Sequence, residues 1–197
     1  MGEAGGVPRI IAGWAGSLPL TAPPSGTRPT SDRVREAIFS ALDARDAVRG
    51  AAVLDLYAGS GALGLEAVSR GAASATLVDR SAPAGKAMRE NLARLRRAHP
   101  DGSRPDVRIV VKTVGGYLGS LPADERVGLV FLDPPYDLSE VAVQHDLEAL
   151  VPHLTPDAVV VLERSSRGPA PRVWPQGLTP DRVRTYGDTA VHLLVPA

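Results

Sequence analysis

The chain has 197 residues, 44% of them hydrophobic, with a formal net charge of zero and no cysteine. Such a length and apolar content suit one globular domain with a substantial core, and the lack of cysteine excludes disulfides and thiolate metal sites and fits a reducing, cytoplasmic setting. There is no long apolar run, no paired metal-ligand spacing among His99, His145, His153 and His192, and no charged-then-apolar leader in "MGEAGGVPRIIAGW", so no membrane span, metal site or signal peptide is expected.

Residues 8–20, "PRIIAGWAGSLPL", read as a short hairpin with glycine-containing turns, and residues 21–29, "TAPPSGTRP", as a linker. Together, residues 1–29 form an N-terminal extension to a domain spanning 30–197. That domain opens with "TSDRVREAIFSALDAR". Its apolar positions Val34, Ala37, Ile38, Ala41 and Leu42 have helical spacing, and Thr30 or Ser31 can cap the start.

From residue 51 strands and helices alternate. "AAVLDLYAG" reads as a buried strand, "ALGLEAVSRG" as a helix closed by Gly71, and "SATLVD" as a strand. "APAGKAMRENLARLRRA" is an amphipathic helix with Met88, Leu92 and Leu95 inward; "DVRIVV" is a strand and "GGYLGSL" a short helix. "VGLVFLD", the helix "SEVAVQHDLEALVPHL" and the strand "DAVVVLER" follow. "DRVRTYGDTAVHLLVP" reads as two strands joined by a Gly187–Asp188 turn. The expected fold is α/β: a mostly parallel seven-stranded sheet ending in an antiparallel hairpin, with helices on both faces. That is the pattern of the Rossmann-like class I methyltransferases, which use S-adenosylmethionine (SAM).

"LDLYAGSGALGLEA" contains Gly59-x-Gly61-x-x-Gly64. Taken alone, this triple suits a dinucleotide site equally well. Asp55, four positions before Gly59, discriminates. A carboxylate repels a pyrophosphate but attracts SAM, which carries an ammonium and a sulfonium and no phosphate. Asp79 ends the next strand, where an acid can accept ribose hydroxyls of either ligand.

"DPPYD", residues 133–137, stops the apolar strand "VGLVFL". Ligands of open parallel sheets sit beyond the carboxyl ends of strands. An exocyclic amine on a nucleobase is a poor nucleophile because its lone pair is delocalised. Two fixed acceptors, the Asp133 carboxylate and the Pro134 carbonyl, can hold its hydrogens and favour pyramidal nitrogen. The proline rings limit the ordering left for the reaction, and Tyr136 can stack on the base. A strand-ending turn with a locally packed tyrosine is the alternative; the glycine loop upstream favours the functional reading.

Charge is unevenly spread. Residues 86–108 carry seven basic and three acidic side chains, whereas residues 113–163 carry one and nine. This fits a solvated mixed surface, or a basic face for a polyanion beside an acidic region for a cationic ligand.

Asp-Pro-Pro-Tyr is shared by enzymes acting on adenine N6 in DNA and on guanine N2 in rRNA. "RIIAGWAGSLPLTAPPSGTRPTSDRVREAIFSAL", residues 9–42, and "RTYGDTAVHLL" narrow the choice, because they resemble the RsmD family of bacterial 16S rRNA guanine-N2 methyltransferases. The resemblance implies that Asp55, Gly59, Gly61 and Asp79 contact SAM, with the neighbouring Tyr57 and Arg80, and that Asp133, Pro134 and Tyr136, with Pro135, handle the target guanine. It also implies that Arg28, Thr30, Arg33 and Arg35 border the active site and substrate. The three arginines suit RNA phosphates, although Arg33 and Arg35 also suit a solvated helix face. The family commonly has a basic residue where Ser17 stands, and Asp or Asn beside Ala where Thr113 and Val114 stand. Adenine recognition then falls to the Thr113 hydroxyl or to backbone groups. Trp14 can stack on RNA or bury its own hairpin. The implied partner is 16S rRNA in the small ribosomal subunit or its assembly intermediate, met by a monomer. Adenine-N6 methylation of DNA is the alternative, but no segment is long enough for a separate target-recognition region.

Overall fold

Apolar side chains at consecutive positions, as in "VLDL", "VGLVFL" and "AVVVL", require cover on both faces of a sheet. The computed structural model, which describes residues 8–23, 31–135, 137–167 and 174–197, supplies that cover. Seven strands form one sheet: β1 (Ala52–Leu56), β2 (Ser74–Asp79), β3 (Asp106–Val111), β4 (Val127–Leu132), β5 (Leu154–Ser165), β6 (Leu178–Tyr186) and β7 (Thr189–Pro196). Their spatial order is β3-β2-β1-β4-β5-β7-β6. The first five are parallel, and β7 runs antiparallel between β5 and β6. The order reverses between β1 and β4, and this is where ligands enter such sheets.

The helices are α1 (Asp32–Asp43), α2 (Ala62–Ser69), α3 (Ala82–Arg97), α4 (Val114–Leu118) and α5 (Glu140–Leu150), the last continued by a 3-10 turn at Val151–His153. Period-two alternation splits the core into two layers. Val53, Leu77, Leu129 and Phe131 pack with α1, α2 and α3; Leu54, Leu56, Val130 and Leu132 pack with α4 and α5. Met88, Leu92 and Leu95 face inward as expected. Ser31 provides the cap of α1, its side chain accepting from the Val34 amide. The short helix starts one residue earlier than its glycines suggested, because Thr113 caps it, and β5 begins at Leu154 rather than Asp157.

The expected N-terminal hairpin forms around the antiparallel bridge from Arg9 to Pro19, with the Ile10 amide donating to the Leu18 carbonyl at 2.9 Å, Ser17 to Ile10 at 2.8 Å and Leu20 to Pro8 at 2.7 Å. Other amides of the segment bond to the helices. Glu66 on α2 accepts from Ile11 and Ala12 at 2.6 and 3.0 Å, Ser69 Oγ accepts from Ala15, and Asn91 on α3 accepts from Thr21. Gly13 lies so close to α2 that a Cβ would stand 1.9 Å from the Ser69 carbonyl oxygen. Trp14 packs on the fold: its Nε1 donates to the Val68 carbonyl and its ring lies 4.4 Å from that of His99. The segment is therefore stitched to α2 and α3 by side chains that the hairpin pattern does not reveal.

Candidate active site

Asp55 sits near the end of β1 and is only 2% exposed. Its Oδ2 accepts the Gly64 amide at 2.9 Å. Burial pushes the carboxyl up to about 7; the Gly64 hydrogen bond opposes this rise, and the charges of Asp133 and Asp79 add to it. The site thus gathers three acids whose mutual repulsion a bound cation would relieve. Asp79, at the end of β2, accepts from the Gly59 amide at 2.9 Å and the Ser81 amide at 2.8 Å, which fixes the glycine loop against the neighbouring strand.

The loop needs its glycines for different reasons. Gly59 and Gly61 have φ of 55° and 77°, left-handed backbone that a side chain disfavours. Gly64 permits close packing, since a Cβ there would lie 2.3 Å from Leu77 Cδ2. Tyr57 adopts φ of 62°, an uncommon conformation for an aromatic residue. Its hydroxyl donates to Asp146 on α5 in a short hydrogen bond. Burial, followed by the Asp146 bond, raises the phenol's proton affinity; burial likewise raises that of Asp146, against the pull of the Tyr57 bond.

β4 is hydrogen-bonded beside β1 with Leu132 level with Leu56, and the Asp133 amide donates to the Leu56 carbonyl at 3.4 Å. Asp133 therefore opens onto the same crevice as Asp55. One cleft of about 240 Å³ is lined by Asp55, Tyr57, Gly59, Asp79, Arg80, Asp133 and Pro135, and also by Arg35. Gly61, Thr113 and Pro134 lie outside that lining. Gly61 shapes the turn, Pro134 is buried, and the Thr113 hydroxyl accepts from the Gly116 amide at 3.3 Å as a helix cap. Arg33 is exposed on α1, whereas Arg35 is 1% exposed, which removes it from any solvated helix face. Arg28, Thr30 and Tyr136 lie outside the described residues.

Sequence reasoning missed Pro8, Ala22 and Pro23, which the docked N-terminal segment brings into the lining. It also missed Asp146 as the partner of Tyr57, a contact 89 residues apart with no local signature. Among the described residues no group of three or more His, Cys, Asp or Glu side chains is placed to hold a metal, and no helix is long and apolar enough to cross a membrane.

A family model described as "Conserved hypothetical protein 95" matches residues 8–195, nearly the full chain. The chain is 40% identical over 130 residues to ribosomal RNA small subunit methyltransferase D of Escherichia coli, covering 65% of this chain and 60% of that relative. It is 30% identical over 194 residues to the Haemophilus influenzae protein of the same name, covering 97% and 95%. The chain belongs to the RsmD family. As an RsmD-family chain it has the class I methyltransferase fold; an Escherichia coli structure described as a candidate methyltransferase, yhhF, superimposes with a TM-score of 0.78 at 30% identity, covering 95% of this chain and 97% of that one.

Proposed function

We propose that this chain transfers a methyl group from SAM to the exocyclic N2 amine of a guanine in 16S rRNA of the small ribosomal subunit, acting as a cytoplasmic monomer. The observation that carries the reading is the shared cleft. Asp55 and Asp133 stand at the ends of adjacent parallel strands, and Asp79 closes the same space from β2. Three carboxylates disfavour a pyrophosphate and favour a ligand bearing ammonium and sulfonium charges. The rRNA substrate follows from membership of the RsmD family and from the activity named for the Escherichia coli and Haemophilus influenzae relatives.

The residues present fit SAM, which when bound supplies an electrophilic methyl group. Each Asp79 oxygen already accepts one amide and has capacity for a ribose hydroxyl. Asp55, fixed by Gly64, offers its remaining lone pairs to a cation in a water-poor setting, where the attraction is stronger than in water. Asp133 accepts a hydrogen of the guanine amine, the Pro134 carbonyl takes the second, and Tyr136 stacks on the base. The proton that the nitrogen sheds lies on its hydrogen bond to Asp133. Guanine has to be unstacked from its helix to reach this loop. Catalysis is then a matter of positioning, with no covalent enzyme intermediate.

Asp133→Asn tests the assignment. Methyl transfer to small subunits lacking the modification should fall by about a hundredfold or more, since one acceptor of the amine becomes partly a donor. SAM affinity, read by calorimetry, should persist. Unchanged turnover in the variant would contradict the clamp.

A further inference from the structure

Arg35 is both buried and incompletely satisfied. Its Nη2 donates to the Arg9 carbonyl at 2.7 Å and to Asp32 Oδ1 at 2.6 Å. Its Nε and Nη1 are buried with no hydrogen-bond partner among the described residues. Unpaired buried guanidinium N–H groups are costly, and structures rarely keep them without a ligand or water to receive them. The side chain also lines the cleft. Only one other cation among the described lining residues accompanies it, Arg80.

The two cations stand at different ends. Arg80 follows Asp79 at the tip of β2. Arg35 lies one turn before Phe39, on the same face of α1, and Phe39 packs against Phe131 of β4 with ring centroids 5.6 Å apart. β1 separates β2 from β4. A SAM molecule with its ribose on Asp79 and its sulfonium toward Asp133 would extend from β2 across β1 toward β4, with its amino-acid end on the Arg35 side. That end carries a carboxylate, which the three acids of the cleft cannot bind.

We propose that the unpaired edge of Arg35 is the carboxylate subsite for SAM, rather than a contact to RNA phosphate; this rests on reading the cleft as the SAM site. Arg35 then has two tasks at once. One nitrogen ties α1 to the Arg9 carbonyl of the N-terminal segment, and the remaining donors form charge-assisted hydrogen bonds to the ligand. The docked segment thereby becomes a wall of the cofactor site, consistent with Pro8 and Pro23 in the lining.

The test compares SAM with decarboxylated SAM, which keeps both positive charges and lacks only the carboxylate. Calorimetric titration of the wild-type chain should show SAM binding about tenfold or more tighter, the range for charge-assisted hydrogen bonds. Arg35→Gln should bring the two ligands to within about twofold, by weakening SAM alone. Arg35→Lys, which keeps the charge, should recover part of the preference. A merely structural arginine would weaken both ligands together. Equal binding of the two ligands by the wild-type chain overturns the proposal without any variant, as does a full preference retained in Arg35→Gln, even if the KM for RNA rises. Failure of the wild-type chain to bind SAM at all would instead reject the SAM site itself.

Discussion

Asp55→Asn should make the ligand-free protein more stable while weakening its cofactor site. The native carboxyl holds its proton up to about pH 7 against an ordinary 3.8, chiefly because it is buried. The folded pKa is therefore the higher one. Between those values the native state keeps a proton that the unfolded chain has released, so stability declines with rising pH across that window and levels off above 7. A difference of about three pH units corresponds to roughly 4 kcal/mol, at about 1.4 kcal/mol for each. Asparagine keeps an oxygen for the Gly64 amide and removes the charge. Urea denaturation should then show the variant more stable by roughly 4 kcal/mol at pH 8 and roughly 2 kcal/mol at pH 5, with the gap closing toward pH 4. SAM affinity should fall in the variant, and the tightening of wild-type binding as pH rises through 7 should disappear. A variant less stable than wild type at pH 8, or a stability difference independent of pH, would refute the buried carboxyl with its raised proton affinity.

Three further outcomes follow from the packing. Gly64→Ala gains about 1 kcal/mol of helix propensity but sets a Cβ against Leu77, which is itself fully buried, and 3.1 Å from Asp55 Oδ2. Overpacking costs of about 1–3 kcal/mol should win, and thermal melting should show net destabilisation with loss of SAM binding. Glu66→Ala removes a buried acceptor of two amides and the partner of Arg70; it should cost about 3–5 kcal/mol in denaturant titration and speed proteolytic cutting within residues 8–23. Tyr57→Phe deletes the bond to Asp146 and should cost about 1–2 kcal/mol, measured by the same titration.

The fold was legible because its periodicities are local. "SATLVD" and "DVRIVV" match β2 and β3 residue for residue, and the Gly187–Asp188 turn stands between β6 and β7. The three acids were legible as well, since each stands at or beside the carboxyl end of a strand whose position in a parallel sheet is predictable. The docking of the N-terminal segment was not. The segment's two extended stretches around glycine turns form the expected hairpin, but Glu66, Ser69 and Asn91 take its other amides from helices more than 50 residues away, with no local signature. Arg35 was misleading for a related reason. An arginine in "SDRVREAIF" looks like part of a charged surface or a phosphate contact, yet it is 1% exposed and donates to the Arg9 carbonyl of the N-terminal segment.

The central claim is that this cleft methylates an amine of guanine in small-subunit RNA. Purified chain, labelled SAM and small subunits lacking the modification should yield label in N2-methylguanosine after digestion to nucleosides and mass analysis. Label in N6-methyladenosine, or in DNA supplied alongside, would contradict the account.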